Sequence, residues 1–254
     1  MQINHNTNQM CEVIFGIHPI QALLEKDHKR LQKIFISKGN TNRFNLLIDK
    51  LKKYDNVSIN FTTRQWLDKK VGRVVHQGII AFIKSNPLPR EEDLPQMLLK
   101  ITKPFLLILD NITDPHNLGA CLRSANIAGV HIVIIPKNRC APLNATAKKV
   151  ACGAAESTPL IQVTNLVRTM QLLKKHNIWI LGADISVNNI LYKSKINGAV
   201  ALVVGNESKG MRRLTIDQCD ELISIPNFGN INSLNVSAAT AVCLFEIVRQ
   251  NNFE

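Results

Sequence analysis

Apolar positions along this chain fall into short runs separated by stretches of helical periodicity. In the first third, Ile20, Leu23 and Leu24 recur at helical spacing, and a strand-like run, KIFIS, follows at 33–37. Phe44, Leu47, Ile48 and Leu51 repeat the helical pattern, and short strands read at 57–61 and 78–83. This alternation predicts a small α/β unit. Beyond residue 104 the apolar runs are continuous rather than alternating: 105–109, 131–135, 160–163, 178–182, 199–204 and 222–225. Helical patterns lie between them near 118–128, 165–176 and 235–250. Strands apolar on both faces belong in a parallel sheet covered by helices. The predicted fold class is therefore α/β, with a small N-terminal α/β domain ahead of a parallel-sheet domain. In such sheets ligands sit beyond the carboxyl ends of the strands, which singles out the loops after residues 109, 204 and 225.

Charge sharpens the division. The 254 residues carry 31 Lys and Arg against 19 Asp and Glu, a net of +12. Residues 1–84 hold 14 basic against 6 acidic side chains, a net of +8, and residues 104–254 hold 14 against 10, a net of +4. Residues 85–103 hold three of each sign together with Pro87, Pro89 and Pro95, the composition of a linker. The expected parse is a small basic domain at 1–84, a linker at 85–103 and a larger, near-neutral domain at 104–254. Lys50, Lys52, Lys53, Lys69, Lys70 and Arg73 lie in the first part. That concentration of charge points to a nucleic-acid phosphate backbone as partner.

Other classes are disfavoured. The longest apolar run, Ala199–Val204, is six residues, far short of the ~18 that a membrane span requires. The opening MQINHNTNQM has neither a basic nor an apolar leader segment. Six cysteines stand at 11, 121, 140, 152, 219 and 243 without one C-x-x-C pair. That scatter argues against a metal site and for reduced thiols in a cytoplasm.

The first loop, DNITDPHNLGACLRSANIAGV at 110–130, opens a helix with Pro115 and Asn117, and Gly119 allows close approach. A capped helix accounts for all of it except Arg123, a long cation among small and apolar residues. The second, GNESKGMRR at 205–213, has the G-x-x-x-x-G spacing of a phosphate loop in Gly205 and Gly210. Met211 and Arg212 stand where such a loop needs Lys and Ser or Thr. No two glycines are two residues apart, so a dinucleotide fingerprint is absent as well. The third, IPNFGNINSLNVSAATAVCLFE at 225–246, brings Ser233, Asn235 and Ser237 to the start of a helix. Such a start offers hydroxyls, an amide and free backbone N–H groups to a ligand.

Taken in order, N-L-G-A-C-L-R-S, V-V-G-N-E-S-K-G-M and I-P-x-x-G-x-x-x-S-L-N-V-S resemble the three motifs of the SpoU family, S-adenosylmethionine-dependent RNA ribose 2′-O-methyltransferases. GIHPIQALLE near residue 16, HQGIIA at 76–81, LNATAKKVACGAAE and GMRRLT extend the resemblance over the whole chain, towards the branch that methylates a guanosine of 23S rRNA. Asn227 departs from the apolar residue usual after I-P, and Ala238 from the usual Val; both leave the functional positions intact.

The resemblance implies an α/β-knot (SPOUT) catalytic domain, a parallel sheet with a trefoil knot at roughly 203–240, which composition could not reveal. It implies a homodimer with S-adenosylmethionine pockets by the interface, and 23S rRNA or the assembling large ribosomal subunit as substrate. Gly205, Ile225 and Leu234 fall on the implied cofactor contacts. Arg123, Asn117, Glu207, Ser233 and Asn235 fall on the implied catalytic positions. A guanidinium, with a pKa above about 12, is a poor base; Arg123 is better suited to clamp phosphate and stabilise oxyanion charge. A tRNA-directed relative and a non-catalytic assembly factor are the alternatives. The basic N-terminal domain argues against the first and the intact catalytic positions against the second.

Overall fold

The computed structural model describes residues 11–39, 41–72, 74–84 and 88–252, and the chain divides into two units at Pro87 and Leu88. The first unit runs β1 (Cys11–Phe15), α1 (Ile17–Asp27), β2 (Leu31–Ser37), α2 (Thr41–Leu51), β3 (Ser58–Thr62), α3 (Arg64–Val71) and β4 (Ile79–Lys84). Its sheet has the order β1-β4-β2-β3, with β3 parallel to β2 and the other pairs antiparallel. Ile20, Leu23 and Leu24 of α1 and Phe44, Leu47 and Leu51 of α2 close on Ile34, Ile36, Ala81 and Ile83 in one core. The apolar spacing seen in the sequence thus marks the faces that are buried.

The segment at 76–78 ties this unit together. Gln77 is held at a φ of 56°, and its Oε1 accepts the N–H of Ile17 at 3.1 Å, in the first turn of α1. Fully buried His76 accepts the Gly78 N–H at Nδ1. The proton therefore sits on Nε2, which donates to Asp68 Oδ1 at 3.0 Å. Lys69 and Lys70 prove to be consecutive on α3, where Lys70 Nζ lies 5.4 Å from the centre of the Trp66 ring. Arg73 lies outside the described residues.

The second unit comprises α4 (Leu94–Leu98), β5 (Phe105–Asp110), α5 (Pro115–Ile127), β6 (Ile132–Pro136), α6 (Ala145–Val150), α7 (Ala154–Ser157), β7 (Leu160–Val163) and α8 (Leu166–Lys175). Then come β8 (Trp179–Ala183), β9 (Val200–Gly205), α9 (Arg213–Ile216), β10 (Glu221–Ile223) and α10 (Val236–Asn252). The six strands are all parallel, in the order β10-β8-β9-β5-β6-β7. Alternate residues of β5 face opposite ways, as a strand requires. Leu107 and Leu109 join Leu118, Leu122, Leu244 and Ile247 on one face, whereas Leu106 and Ile108 join Leu173 and Met170 on the other.

One expectation is corrected here. Most of the stretch 85–103 is not a linker: residues 88–103 belong to the second unit, while 85–87 lie outside the described residues. Leu94 and Leu98 of α4 are buried against Leu106 and Ile108. Glu91 binds Arg168 Nη2 at 2.8 Å and the Thr164 N–H at 2.8 Å. Balanced charge and prolines concealed two apolar anchors spaced four apart.

At the edge of the sheet, β10 is held on both sides by one stretch of chain. The carbonyl of Ile223 accepts the N–H of Asp184, at the end of β8. One residue on, Ser224 points the opposite way, donating its N–H to Asn189 and accepting that of Leu191. The connection from β8 to β9 therefore returns along the far edge of β10, the local arrangement expected of the knot.

Candidate active site

All three motif loops leave carboxyl ends of the sheet strands, after β5, β9 and β10. In the first, Asp114 caps α5 by accepting the His116 N–H at 2.8 Å, and Pro115, which has no N–H to lose, takes the first helical position. Gly119 lets α6 press against α5, since a Cβ there would meet the Ala147 carbonyl oxygen at 2.5 Å and the Val150 Cβ at 2.7 Å. Asn117 emerges at the exposed start of this helix.

The second loop folds back on itself. Asn206 and Gly210 exchange backbone hydrogen bonds at 3.1 and 2.8 Å, with Gly210 at a φ of 64°. Gly205 lies so close to this return that a Cβ would stand 2.2 Å from both the Gly210 carbonyl carbon and the Met211 nitrogen. The loop cannot close with any other residue at 205. Its closure places Glu207 opposite Asn117.

Three side chains from three loops then meet. Asn117 Nδ2 donates to Glu207 Oε1 at 2.6 Å. Asn235 Nδ2 donates to both Asn117 Oδ1 and Glu207 Oε1, each at 3.0 Å. Asn235 is itself fixed by accepting the Ser237 N–H at 2.9 Å, at the start of α10. Both donors converge on Oε1, so Glu207 Oε2 keeps its lone pairs for a ligand hydroxyl or amine.

Beside this circuit is a cavity of about 720 Å³ between the loops 205–211 and 225–235. Gly205, Ile225 and Leu234, expected to hold the cofactor, all line it, as do Glu207, Ser233 and Asn235. Apolar Ile185, Met211 and Ile223 contribute to its walls. Asn227, the departure after I-P, staples one wall: its Oδ1 accepts the Gly229 N–H at 3.0 Å and its Nδ2 donates to the Ile231 carbonyl at 2.6 Å. Ser233 is exposed on the cavity wall.

Arg123 stands apart. Six residues after Asn117, it is rotated about 240° around α5 and displaced about 9 Å along it. It is exposed and has no hydrogen-bond or ion-pair partner among the described residues. The structure thus unites Asn117, Glu207 and Asn235, sets Ser233 on the same cavity, and turns Arg123 outward. Sequence reasoning missed Asp110 and Arg212, which anchor the second loop from below. The signal was present: an acidic residue ends the apolar strand FLLILD. Around the site burial pushes the Cys121 thiol up to about 12 and Cys140 to about 11.

Comparison with known proteins bears on both units. The model of the SpoU rRNA Methylase family matches residues 104–245, and one described as RNA 2′-O ribose methyltransferase substrate binding matches 13–89. The 23S rRNA (guanosine-2′-O-)-methyltransferase RlmB of Escherichia coli strain K12 is 56% identical over 243 residues, covering 96% of this chain and 100% of that protein. The protein of the same name from Salmonella typhimurium strain LT2 is 57% identical over 241 residues, covering 95% and 99%. Among solved structures, the SpoU methyltransferase AviRb from Streptomyces viridochromogenes, in complex with AdoMet, superposes with a TM-score of 0.77 at 20% identity. It covers 94% of this chain and 90% of AviRb. A crystal structure of an RNA 2′-O ribose methyltransferase gives a TM-score of 0.77 at 22% identity, covering 95% and 89%. These structural likenesses establish the fold.

Proposed function

The chain belongs to the SpoU rRNA methylase family, and on that footing we propose that it methylates the ribose 2′-hydroxyl of one guanosine in the peptidyl-transferase region of 23S rRNA. One observation carries this reading. Two of the motif loops line one cavity, and the third reaches its Glu207 and Asn235 through Asn117, in a chain 56% identical, over 96% of its length, to a protein named for that reaction.

S-adenosylmethionine fits this cavity. Its volume, about 720 Å³, lies within the usual range for small-molecule sites, and its lining combines apolar walls such as Ile185, Met211 and Ile223 with polar groups such as Asp184, Glu207 and Asn235 that a charged cofactor requires. Gly205, Ile225 and Leu234 would hold the cofactor, through backbone groups and apolar contact. When bound, it supplies an electrophilic methyl group on a sulfonium.

The chain's own residues do the rest. Asn117 and Asn235 lock one oxygen of Glu207, leaving the other to orient a ligand at the mouth of the cavity. The Ser233 hydroxyl and the Asn235 amide complete the wall. A ribose hydroxyl is a weak acid, so the site must align it and stabilise the charge developing on oxygen. Arg123 serves as the cation for phosphate and that developing charge.

Its outward placement fits a homodimer. Ile127, one turn beyond Arg123, is 65% exposed, and Phe245 on α10, which packs with α5, is 46% exposed. A second copy docked over these side chains would bring Arg123 to the subunit boundary. The basic first unit grips flanking phosphates of 23S rRNA or of the assembling subunit, and the protein works in the cytoplasm, the compartment of that substrate. Among the described residues no helix is long and apolar enough to cross a membrane.

Incubating purified protein with a full-length 23S rRNA transcript and cofactor labelled in its methyl group tests the reading. Label appears in 23S rRNA, whereas label in tRNA alone moves the assignment to a tRNA enzyme. Failure of calorimetry to show cofactor binding at millimolar concentration would leave a non-catalytic RNA-binding protein.

A further inference from the structure

Beneath the active-site circuit lies a charged pair that the mechanism above does not use. Asp110 ends β5 with its side chain fully buried. Its Oδ2 accepts the backbone N–H of Arg212 at 2.9 Å, its Oδ1 accepts the Nε–H of the same residue at 2.7 Å, and Nη2 makes an ion pair with Oδ1 at 2.7 Å. All these donors belong to one residue, the first after the 205–211 loop. Arg212 is in turn the residue immediately before α9.

The same stretch of chain holds the loop at two more points. The Asn111 carbonyl accepts Asn206 Nδ2 at 3.3 Å, with Asn111 held at a φ of 66°. Asn117 then reaches Glu207. Thus 110, 111 and 117 engage 212, 206 and 207, and the loop is fastened at both ends as well as at its catalytic residue. Glu207 itself is exposed, so burial does not fix it; its position depends on how the two ends of its loop are held. A carboxylate that takes both the backbone N–H and the guanidinium Nε–H of one arginine, with Nη2 in ionic contact, fixes that residue in position and orientation, which a lone lysine charge does not.

We propose that the Asp110–Arg212 pair is a positioning device for catalysis, setting the Glu207 carboxylate against Asn117 and Asn235. The proposal rests on the methyltransferase reading for its kinetic readout and on geometry alone for its physical one. Arg212 does not line the cavity, and in this role it acts through Glu207.

The test is a double-mutant cycle in the full-length protein, comparing Arg212→Gln, Arg212→Lys, Glu207→Gln and the doubles for kcat and for KM of both substrates. Arg212→Gln should lower kcat by about a hundredfold, the scale of a small misplacement of a reacting group, with both KM values near wild type. Arg212→Lys, the milder variant, should fall between the two. In the Glu207→Gln background, Arg212→Gln should cost less than about threefold, because coupled groups are not additive. A wild-type kcat in Arg212→Lys and Arg212→Gln, or an equal loss in both backgrounds, overturns the proposal.

If the wild-type protein transfers no label to 23S rRNA, the reaction assignment fails and the pair is judged by hydrogen exchange. Amides of residues 205–212 should exchange faster in Arg212→Gln and in Arg212→Lys, while those of 105–109 are unchanged. Unaltered protection of the loop in both variants refutes the positioning role without reference to activity.

Discussion

Asn117 and Glu207 are ninety residues apart in the chain and joined by a 2.6 Å hydrogen bond from Nδ2 to Oε1. With Asn235 donating to both, the bond completes a circuit in which every donor and acceptor role is assigned. A carboxylate presented this way has one oxygen committed to the protein and one free for a ligand.

Glu207→Gln should therefore fold normally but lose methyl transfer. The Gln carbonyl can still accept from Asn117 and Asn235, while the charge is gone. The expected loss is about 100- to 1,000-fold in kcat, the usual cost of removing one electrostatic group from a reacting centre. Asn117→Asp should lose at least as much, because it sets a second carboxylate against the first. Steady-state kinetics with labelled cofactor check both, and activity within threefold of wild type for either variant removes the circuit from the mechanism.

Arg123→Ala should abolish transfer with little change in thermal stability. The side chain is exposed and has no partner among the described residues, so its removal costs the fold little. Arg123→Lys should fail too, since a point charge does not reproduce a planar fork. A melting point lowered by more than about 5 °C, roughly 1 kcal/mol or more for a domain this size, would mean that Arg123 is structural.

Truncation distinguishes two boundaries. Removing residues 1–87 should leave a folded second unit that binds cofactor but grips RNA with a shallower dependence on salt, because the missing unit carries most of the excess charge. Removing residues 1–100 also deletes Leu94 and Leu98, each buried in the core, at about 2 kcal/mol apiece. Calorimetric melting of the two fragments should separate clearly. Equal stability would make α4 dispensable.

Alkylation reports on the buried thiols. Burial pushes Cys121, Cys219 and Cys243 up to about 12 and Cys140 to about 11. At pH 8 each is well under 1% thiolate, the reactive form. Iodoacetamide should leave these four unmodified in the native protein and label them in urea, as read by peptide mass spectrometry. Rapid native labelling of Cys121 would mean that α5 opens readily.

The sequence made the loops legible because each follows an apolar strand, and in parallel sheets chemistry gathers at those ends. It named Asn117, Glu207, Ser233 and Asn235, though nothing in their spacing said that three of them bond to one another. Arg123 was legible as an anomaly, and its rotation away from Asn117 follows from the helical period; that this turns it to the exposed side follows only once Gly119 seats the helix against α6. The helix α3 escaped notice because, of its eight residues, only Leu67 is buried, too few to set a period. Asp110 was visible as an acidic residue ending an apolar strand, but its partner was not: Arg212 lies 102 residues on, and a pairing made by tertiary contact leaves no local pattern.

The most direct test of the account is to map the ribose methylation that the purified protein places on a 23S rRNA transcript, by reverse transcription at low nucleotide concentration. The account predicts one new stop, at a guanosine of the peptidyl-transferase region, that disappears in Glu207→Gln. Methylation of a base, or of many scattered riboses, would contradict it.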